Sequence, residues 1–212
     1  MNIKIRNERQ EDYRKVEEVA REAFWNLYVP GCAEHCAIHK LRSHPDFIPE
    51  LTFVIEVNEE IVGSIFFSHS KIVSEDNVEL KTISFGPVCI LPSMHRQGLG
   101  RKLITHSIEE AKKLGYKAIL TLGYPYHYEP YGFLGGKNYS ISMPDGKFYK
   151  GLLVLPLYEG ALDNFSGSAF FSEALEPSEE EIEEFDKTFP PKLKQFQHSQ
   201  KEFETYSHML DE

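Results

Sequence analysis

The six residues Arg96-Gln97-Gly98-Leu99-Gly100-Arg101 constrain this chain more than any other stretch. A strand-like apolar run, 82–91, leads into them, and a helix-like run, 101–114, leaves them. Two glycines one residue apart let the backbone turn tightly and approach a ligand closely. Where a helix begins, its first N–H groups have no partner within the helix, and its dipole adds partial positive charge. Such a junction binds phosphate oxygens, and Arg96 and Arg101 add full positive charges beside it.

Two common phosphate loops do not fit. The dinucleotide fingerprint G-x-G-x-x-G fails because Leu103 stands where its third glycine would be. The nucleoside triphosphate loop G-x-x-x-x-G-K-(S/T) occurs nowhere in the chain.

The 212 residues are enough for one domain with a sizeable core. A net charge of -10 argues against a non-specific nucleic-acid binder, which needs a basic footprint, and fits a cationic or neutral substrate. The opening Met1-Asn2-Ile3-Lys4-Ile5-Arg6 alternates polar and apolar residues, unlike a signal peptide, and no apolar run reaches membrane-spanning length. Three cysteines are an odd number and do not suggest a disulfide framework. A reducing cytoplasm is the expected setting.

Hydrophobic spacing lays out the elements. Ile3 and Ile5 alternate as in a half-buried strand. Val16, Val19, Ala23, Phe24 and Leu27 repeat at helical spacing within 11–27, and a second helical piece spans 33–43. Strands are expected at 51–57 and 61–69, joined by Asn58-Glu59-Glu60, with 74–78 a loop. The third helix carries Leu99, Leu103, Ile108, Ala111 and Leu114 on one stripe, and Gly115 suits its C-terminal cap. Further strands are expected at 118–122, 139–143, 148–155 and 168–172. Crossover helices mixed with hairpins predict an α/β chain with a mixed sheet.

After Leu175 the chain changes character. Ser178 with Glu181 forms a capping-box pattern, and Ile182, Phe185 and Phe189 share a helical face. Beyond Pro190-Pro191, the residues Leu193, Phe196, Phe203, Tyr206 and Leu210 form another apolar stripe. Two helices packed on the body of the domain are expected, with a dimerisation element as the alternative.

Three motifs in order carry a resemblance. R-Q-G-L-G-R is similar to the pyrophosphate loop, (R/Q)-x-x-G-x-(G/A), of the GNAT superfamily of N-acetyltransferases, which holds coenzyme A. Tyr128-Glu129-Pro130-Tyr131-Gly132-Phe133 resembles the family's Y-E-x-x-G-F signature, and Phe85 to Pro92 resembles its bulged fourth strand. The resemblance runs over about 3–175, and we take 1–175 as the acetyltransferase domain, with 176–212 as a helical extension on the same domain. It implies the acyl-CoA N-acyltransferase fold, a central, mostly antiparallel mixed sheet flanked by helices.

It also implies a site. Gly86-Pro87 interrupts an apolar strand, and proline lacks the N–H that would continue the ladder, so a bulge or an edge-strand end is expected. In the family the bulge parts the fourth and fifth strands, and the pantetheine arm of acetyl-CoA lies in the gap. On this resemblance Val88 and Ile90 offer main-chain groups to pantetheine, and the Val88 N–H polarises the thioester carbonyl. The cofactor contacts then come from Arg96, Gln97, Gly98, Leu99, Gly100 and Arg101. Tyr128 matches the general acid that protonates the departing thiolate, with Tyr124, Tyr126 and Tyr131 crowding the same segment.

No general base announces itself among Glu50, His69, Ser84 and His127, of which Glu50 and His69 are the named candidates; a bound water chain is the alternative. The stretch from Glu34-His35 to Leu51 resembles a bacterial GNAT subgroup in which it forms part of the acceptor pocket, making His35 and Glu50 substrate-facing. Cys32, His35, Cys36 and His39 invite a zinc reading, but C-x2-H-C-x2-H matches no common finger, and in a helix the two pairs point different ways. No metal is expected. The implied reaction moves an acetyl group from acetyl-CoA to the amine of a small molecule or peptide, in a monomer or homodimer. The other reading is a CoA-binding regulatory module without turnover.

Overall fold

The computed structural model describes residues 1–211. Alternating Ile3 and Ile5 form β1 (Ile3–Asn7), which pairs antiparallel with β2 (Phe53–Val57). Between them lie α1 (Tyr13–Phe24) and α2 (Glu34–Leu41). Asn58 and Glu59, both at positive φ, turn β2 into β3 (Glu60–Val73), and β3 pairs antiparallel with β4 (Glu79–Ile90). Then come α3 (Leu99–Lys113), β5 (Ala118–Leu122) and the one-turn α4 (Pro125–Tyr128). The short β6 (Leu134–Gly135) and β7 (Ile141–Ser142), then β8 (Leu152–Pro156) and β9 (Gly167–Phe170), complete the sheet.

The strand order is β1-β2-β3-β4-β5-β8-β6, with β9 pairing both β3 and β7. Among the described residues the β4–β5 and β7–β9 pairs are parallel and the other pairs antiparallel. α3 buries Leu99, Leu103, Ile104 and Ile108 on one face of the sheet, against Phe53, Ile55, Phe67 and Phe85. α1 and α2 bury Val16, Val19, Ile38 and Leu41 on the other face, against Val54, Phe66 and Cys89. The 3.6-residue spacing of those helical residues is what the period-2 sheet faces require.

The structure shortens two expected strands. Only Ile141 and Ser142 of 139–143 pair, because residues 136–139 close a 3-10 turn ending at Ser140 with φ +55. The 148–155 strand begins at Leu152, after a turn, and runs on to Pro156. The expected single stripe over 193–210 also breaks. α6 spans His198–Ser207, while Leu193 and Phe196 precede it and are 72% and 73% exposed. What Leu193 contributes is its backbone carbonyl, which accepts from Trp25 Nε1 and Asn26 Nδ2.

The tail lies on α1 and α2. α5 (Glu179–Asp186) has the capping box read from Ser178 and Glu181. Arg21 Nε donates to Asp186 Oδ1 at 2.7 Å, and Phe185 and Phe189 pack against the His35 ring. Phe203 of α6 lies 4.4 Å, ring to ring, from Tyr28.

Candidate functional site

A gap in the sheet organises the site. β4 and β5 are in register only at Ile83–Ile119 and Ser84–Leu120, while β5 continues along β8 to Leu122. Past Ser84 the two strands part, tied by one bond from Thr121 Oγ1 to the Phe85 carbonyl at 3.2 Å. The cause is local. Phe67 pairs with Phe85 and Ile65 with Val88, so Gly86 and Pro87 together oppose Phe66 alone. The extra residue is a bulge, which bends the strand.

Beyond the bulge, alternation decides where backbone groups point. The Leu91 N–H donates to the Val62 carbonyl, so it faces the β3 side. Val88 and Ile90 sit at odd offsets from it, and their N–H and C=O groups face the gap. The Ile90 carbonyl already accepts from His95 Nε2 at 2.8 Å.

Gly98 caps α3 at φ +76, and its lack of a side chain leaves the helix with no side-chain cap. The first helical bond there is Lys102 N–H to the Gly98 carbonyl, so the Leu99, Gly100 and Arg101 N–H groups precede the ladder. A Cβ built on Gly98 would meet nothing within 4 Å, and one on Gly100 would meet only Ile90 Cγ1 at 3.8 Å. The space over these N–H groups is therefore open to a ligand. Counted back from Gly98, the first position of the (R/Q)-x-x-G-x-(G/A) pattern is His95, not an arginine or glutamine. His95, Arg96 and Leu99 line the cleft, Leu99 with most of its side chain buried in the core, whereas the Gln97 side chain turns back toward Met94 Sδ at 3.8 Å.

The cleft has a volume of about 450 Å³ and runs from this loop past Val88 and Ile90 to Phe24, Tyr28 and Tyr128. The Tyr128 ring stands edge-on to Phe85 at 5.3 Å and 5.9 Å from Phe133. Burial pushes its phenol pKa up, with the neighbouring Tyr28 and Tyr131 adding in the same direction. The hydroxyl therefore keeps its proton throughout the physiological range. Tyr131 also lines the cleft and neighbours Arg101.

Sequence reasoning missed Glu34. It opens α2 and shares one helical face with Ile38 and Leu41, at i+4 and i+7. That face packs on the sheet at Val54, Phe66 and Cys89, and Glu34 stands one turn before it, near Cys89 and Tyr28. Its carboxylate accepts from the Ala33 N–H at 3.0 Å, and burial raises its pKa to about 7. After burial itself, the Glu34 charge is the next cause raising the Tyr28 phenol, a cleft residue. The only available clue was a lone glutamate on an otherwise apolar helical face.

Other expected residues lie elsewhere. Glu50 is exposed on a 3-10 turn, and His69 is exposed 6.1 Å from the Tyr116 ring. Glu50 charge also raises the Tyr116 phenol, after burial, so these groups gather past the C-terminal end of α3, opposite the glycine loop. Neither lines the cleft. Ser84 is buried against Ser68, Oγ to Oγ 3.0 Å; His127 does line the cleft, and burial lowers its pKa.

His35 is a correction. It is fully buried rather than substrate-facing, with Nδ1 3.4 Å from Cys32 Sγ and Nε2 3.3 Å from Asp186 Oδ1. Burial holds its pKa down at about 4. His39 turns outward to Glu17 at 2.9 Å, and among the described residues no group of three or more His, Cys, Asp or Glu is placed to hold a metal. No helix among the described residues is long and apolar enough to cross a membrane.

A second cavity, of about 650 Å³, adjoins the cleft and shares Leu27, Tyr28 and His127 with it. Tyr124, Tyr126 and α6 enclose the rest.

Known proteins share this fold. The chain is 30% identical over 102 residues to the uncharacterized N-acetyltransferase YhbS of Escherichia coli (strain K12), covering 48% of this chain and 58% of that relative. It thus spans little more than half the length of that curated relative. The crystal structure of the Escherichia coli YhbS protein in complex with CoA superposes with TM-score 0.73 at 21% identity, over 84% of this chain and 93% of that one. A GNAT family acetyltransferase from Brucella melitensis, solved with acetyl-CoA, gives TM-score 0.67 at 22% identity over 82% and 99%. At those identities the likeness is one of fold. The sequence model of the acetyltransferase (GNAT) family matches residues 6–127, from the first strand through the parted strands and the glycine loop almost to Tyr128. That match covers more than half of the chain, and the chain belongs to the GNAT family of acetyltransferases.

Proposed function

We propose that this chain is an acetyl-CoA-dependent N-acetyltransferase that joins an acetyl group to a primary amine by direct attack in a ternary complex. The observation that carries the reading is one cleft holding the uncapped head of α3, the outward-facing edge of β4 and the Tyr128 ring. Solved proteins of the same fold hold CoA or acetyl-CoA, which supports the same ligand here.

In this reading the Leu99, Gly100 and Arg101 N–H groups bind the pyrophosphate, with Arg96 and Arg101 as counter-charges. Val88 and Ile90 pair with the pantetheine amides, and the Val88 N–H stabilises the oxyanion. Glu34 does not itself line the cleft but lies beside its Tyr28 wall, and it takes the proton of the substrate ammonium through water, since a carboxylate with a pKa of about 7 suits a base at neutral pH. The amine nitrogen bonds to the carbonyl carbon, the C–S bond breaks, Tyr128 gives its proton to the departing thiolate, and the surplus proton on the new amide nitrogen returns through solvent to the Tyr128 phenolate. Glu34 serves in place of Glu50 and His69. We further propose that residues 1–175 form the acetyltransferase domain and 176–212 an extension seated on it.

Thiol release from acetyl-CoA over a panel of primary amines tests the reading. Turnover with at least one amine class is expected. Binding of acetyl-CoA with no acetylation of any amine would instead favour the regulatory module.

A further inference from the structure

The cavity of about 650 Å³ beside the cleft is walled by aromatic rings. Tyr124 stacks on Tyr126 at 5.4 Å and meets Tyr206 of α6 at a tilt, 4.5 Å from ring to ring. Tyr28 closes the wall shared with the cleft, and the exposed Tyr126 offers its ring to solvent. Phenol faces attract cations, most strongly where water is excluded.

Carboxylates lie close to these phenols. After burial, the Glu34 carboxylate is the next cause raising Tyr28, and behind the neighbouring phenols the Glu202 carboxylate contributes at Tyr124 and those of Glu129 and Asp211 at Tyr206. Of these carboxylates Glu202 lines the cavity itself, beside Lys201 and 3.4 Å from His198, and the others lie behind the phenol wall. Burial holds His127 toward its neutral form. The reacting nitrogen must lose its proton before attack, so a phenol wall around that nitrogen would oppose the reaction. A second, non-reacting cation would keep its attraction throughout.

Resting on the acetyltransferase reading, we propose that this cavity receives the acceptor, and that the acceptor is an amine bearing a second positive charge. The remote cation lies against Tyr124, Tyr126 and Glu202, and the reacting amine extends past Tyr28 toward Tyr128. The α6 helix, which follows the span matched by the family, thereby contributes to substrate choice.

Calorimetry with putrescine and with n-butylamine, a diamine and a monoamine of the same chain length, tests this on the full chain saturated with CoA. Putrescine should bind about tenfold tighter or more, and Tyr126→Leu and Glu202→Gln should each cost it about threefold or more. Acetyl-CoA affinity, measured on the same samples, should stay unchanged in both variants. Equal binding of the two amines, no binding of putrescine, or indifference to both substitutions would overturn the proposal. Putrescine binding by a wild type that takes up no acetyl-CoA would uphold the cation site and overturn the CoA reading instead.

Discussion

The Tyr128 ring lies so close over Gly123 that a Cβ on residue 123 would stand 2.7 Å from Tyr128 Cε2. Glycine at the end of β5 is thus a condition for where the phenol sits. Gly123→Ala should push the ring away and lower kcat while leaving acetyl-CoA affinity near wild type. Tyr128→Phe should lose about 10²- to 10⁴-fold in kcat, and Tyr131→Phe should behave nearly as wild type. Steady-state kinetics on the three variants checks this. A loss carried by Tyr131→Phe would move the proton donor to that residue.

Gly100 needs no side chain for packing, because a Cβ there makes only an ordinary contact with Ile90. Gly100→Val should therefore fold with little change in thermal midpoint, yet weaken CoA about tenfold or more by covering N–H groups that would each lose a charge-assisted bond. Equal affinity in the two proteins would remove the phosphate-loop assignment.

Glu34 sets a pH dependence. Its pKa is raised by burial to about 7, so the base form fills in above that value. The rate at low substrate should climb through pH 7 and level off above it, and Glu34→Gln should lose this limb. Stability should move the other way. A folded pKa above the ordinary glutamate value of 4.5 means the folded chain holds the proton over roughly pH 4.5 to 7 while the unfolded chain does not, so this contribution is lost as pH rises through that window. Glu34→Gln should then be more stable than wild type at pH 8 and no more stable at pH 4. Rate profiles and urea midpoints at both pH values test the pair of statements.

The tail is anchored by Phe189, which is buried edge-on to His35 at 5.2 Å with Arg14 Cζ 3.5 Å from its ring centroid. Phe189→Ala should cost about 3 kcal/mol, the lower part of the range for a buried phenylalanine. It should also speed proteolysis beyond residue 176 while sparing acetyl-CoA binding, since Phe189 lines no part of the cleft. Unchanged denaturant and proteolysis profiles would show that α5 does not depend on it.

Local chemistry was readable in the sequence where a few adjacent residues suffice. Gly98 and Gly100 at a strand–helix junction, Pro87 inside an apolar strand and the Ser178–Glu181 capping box each state their own geometry. Long-range packing was not readable. His35 carries the same side chain whether it faces a substrate or is sealed under Phe185 and Phe189, which lie about 150 residues further on. Glu34 sits next to it on α2, and only the docking of that helix on the sheet gives one residue to the core under the tail and sets the other beside Tyr28 of the cleft wall. Gly123 gained its meaning only from the ring above it.

The central claim is that the head of α3 and the parted β4 edge form a CoA site. Calorimetric titration of the unmodified chain with acetyl-CoA, with free CoA alongside, tests it most directly. The account predicts one saturable site per chain at micromolar concentrations for both ligands, lost together in Gly100→Val. No heat from either ligand at millimolar concentration would contradict it.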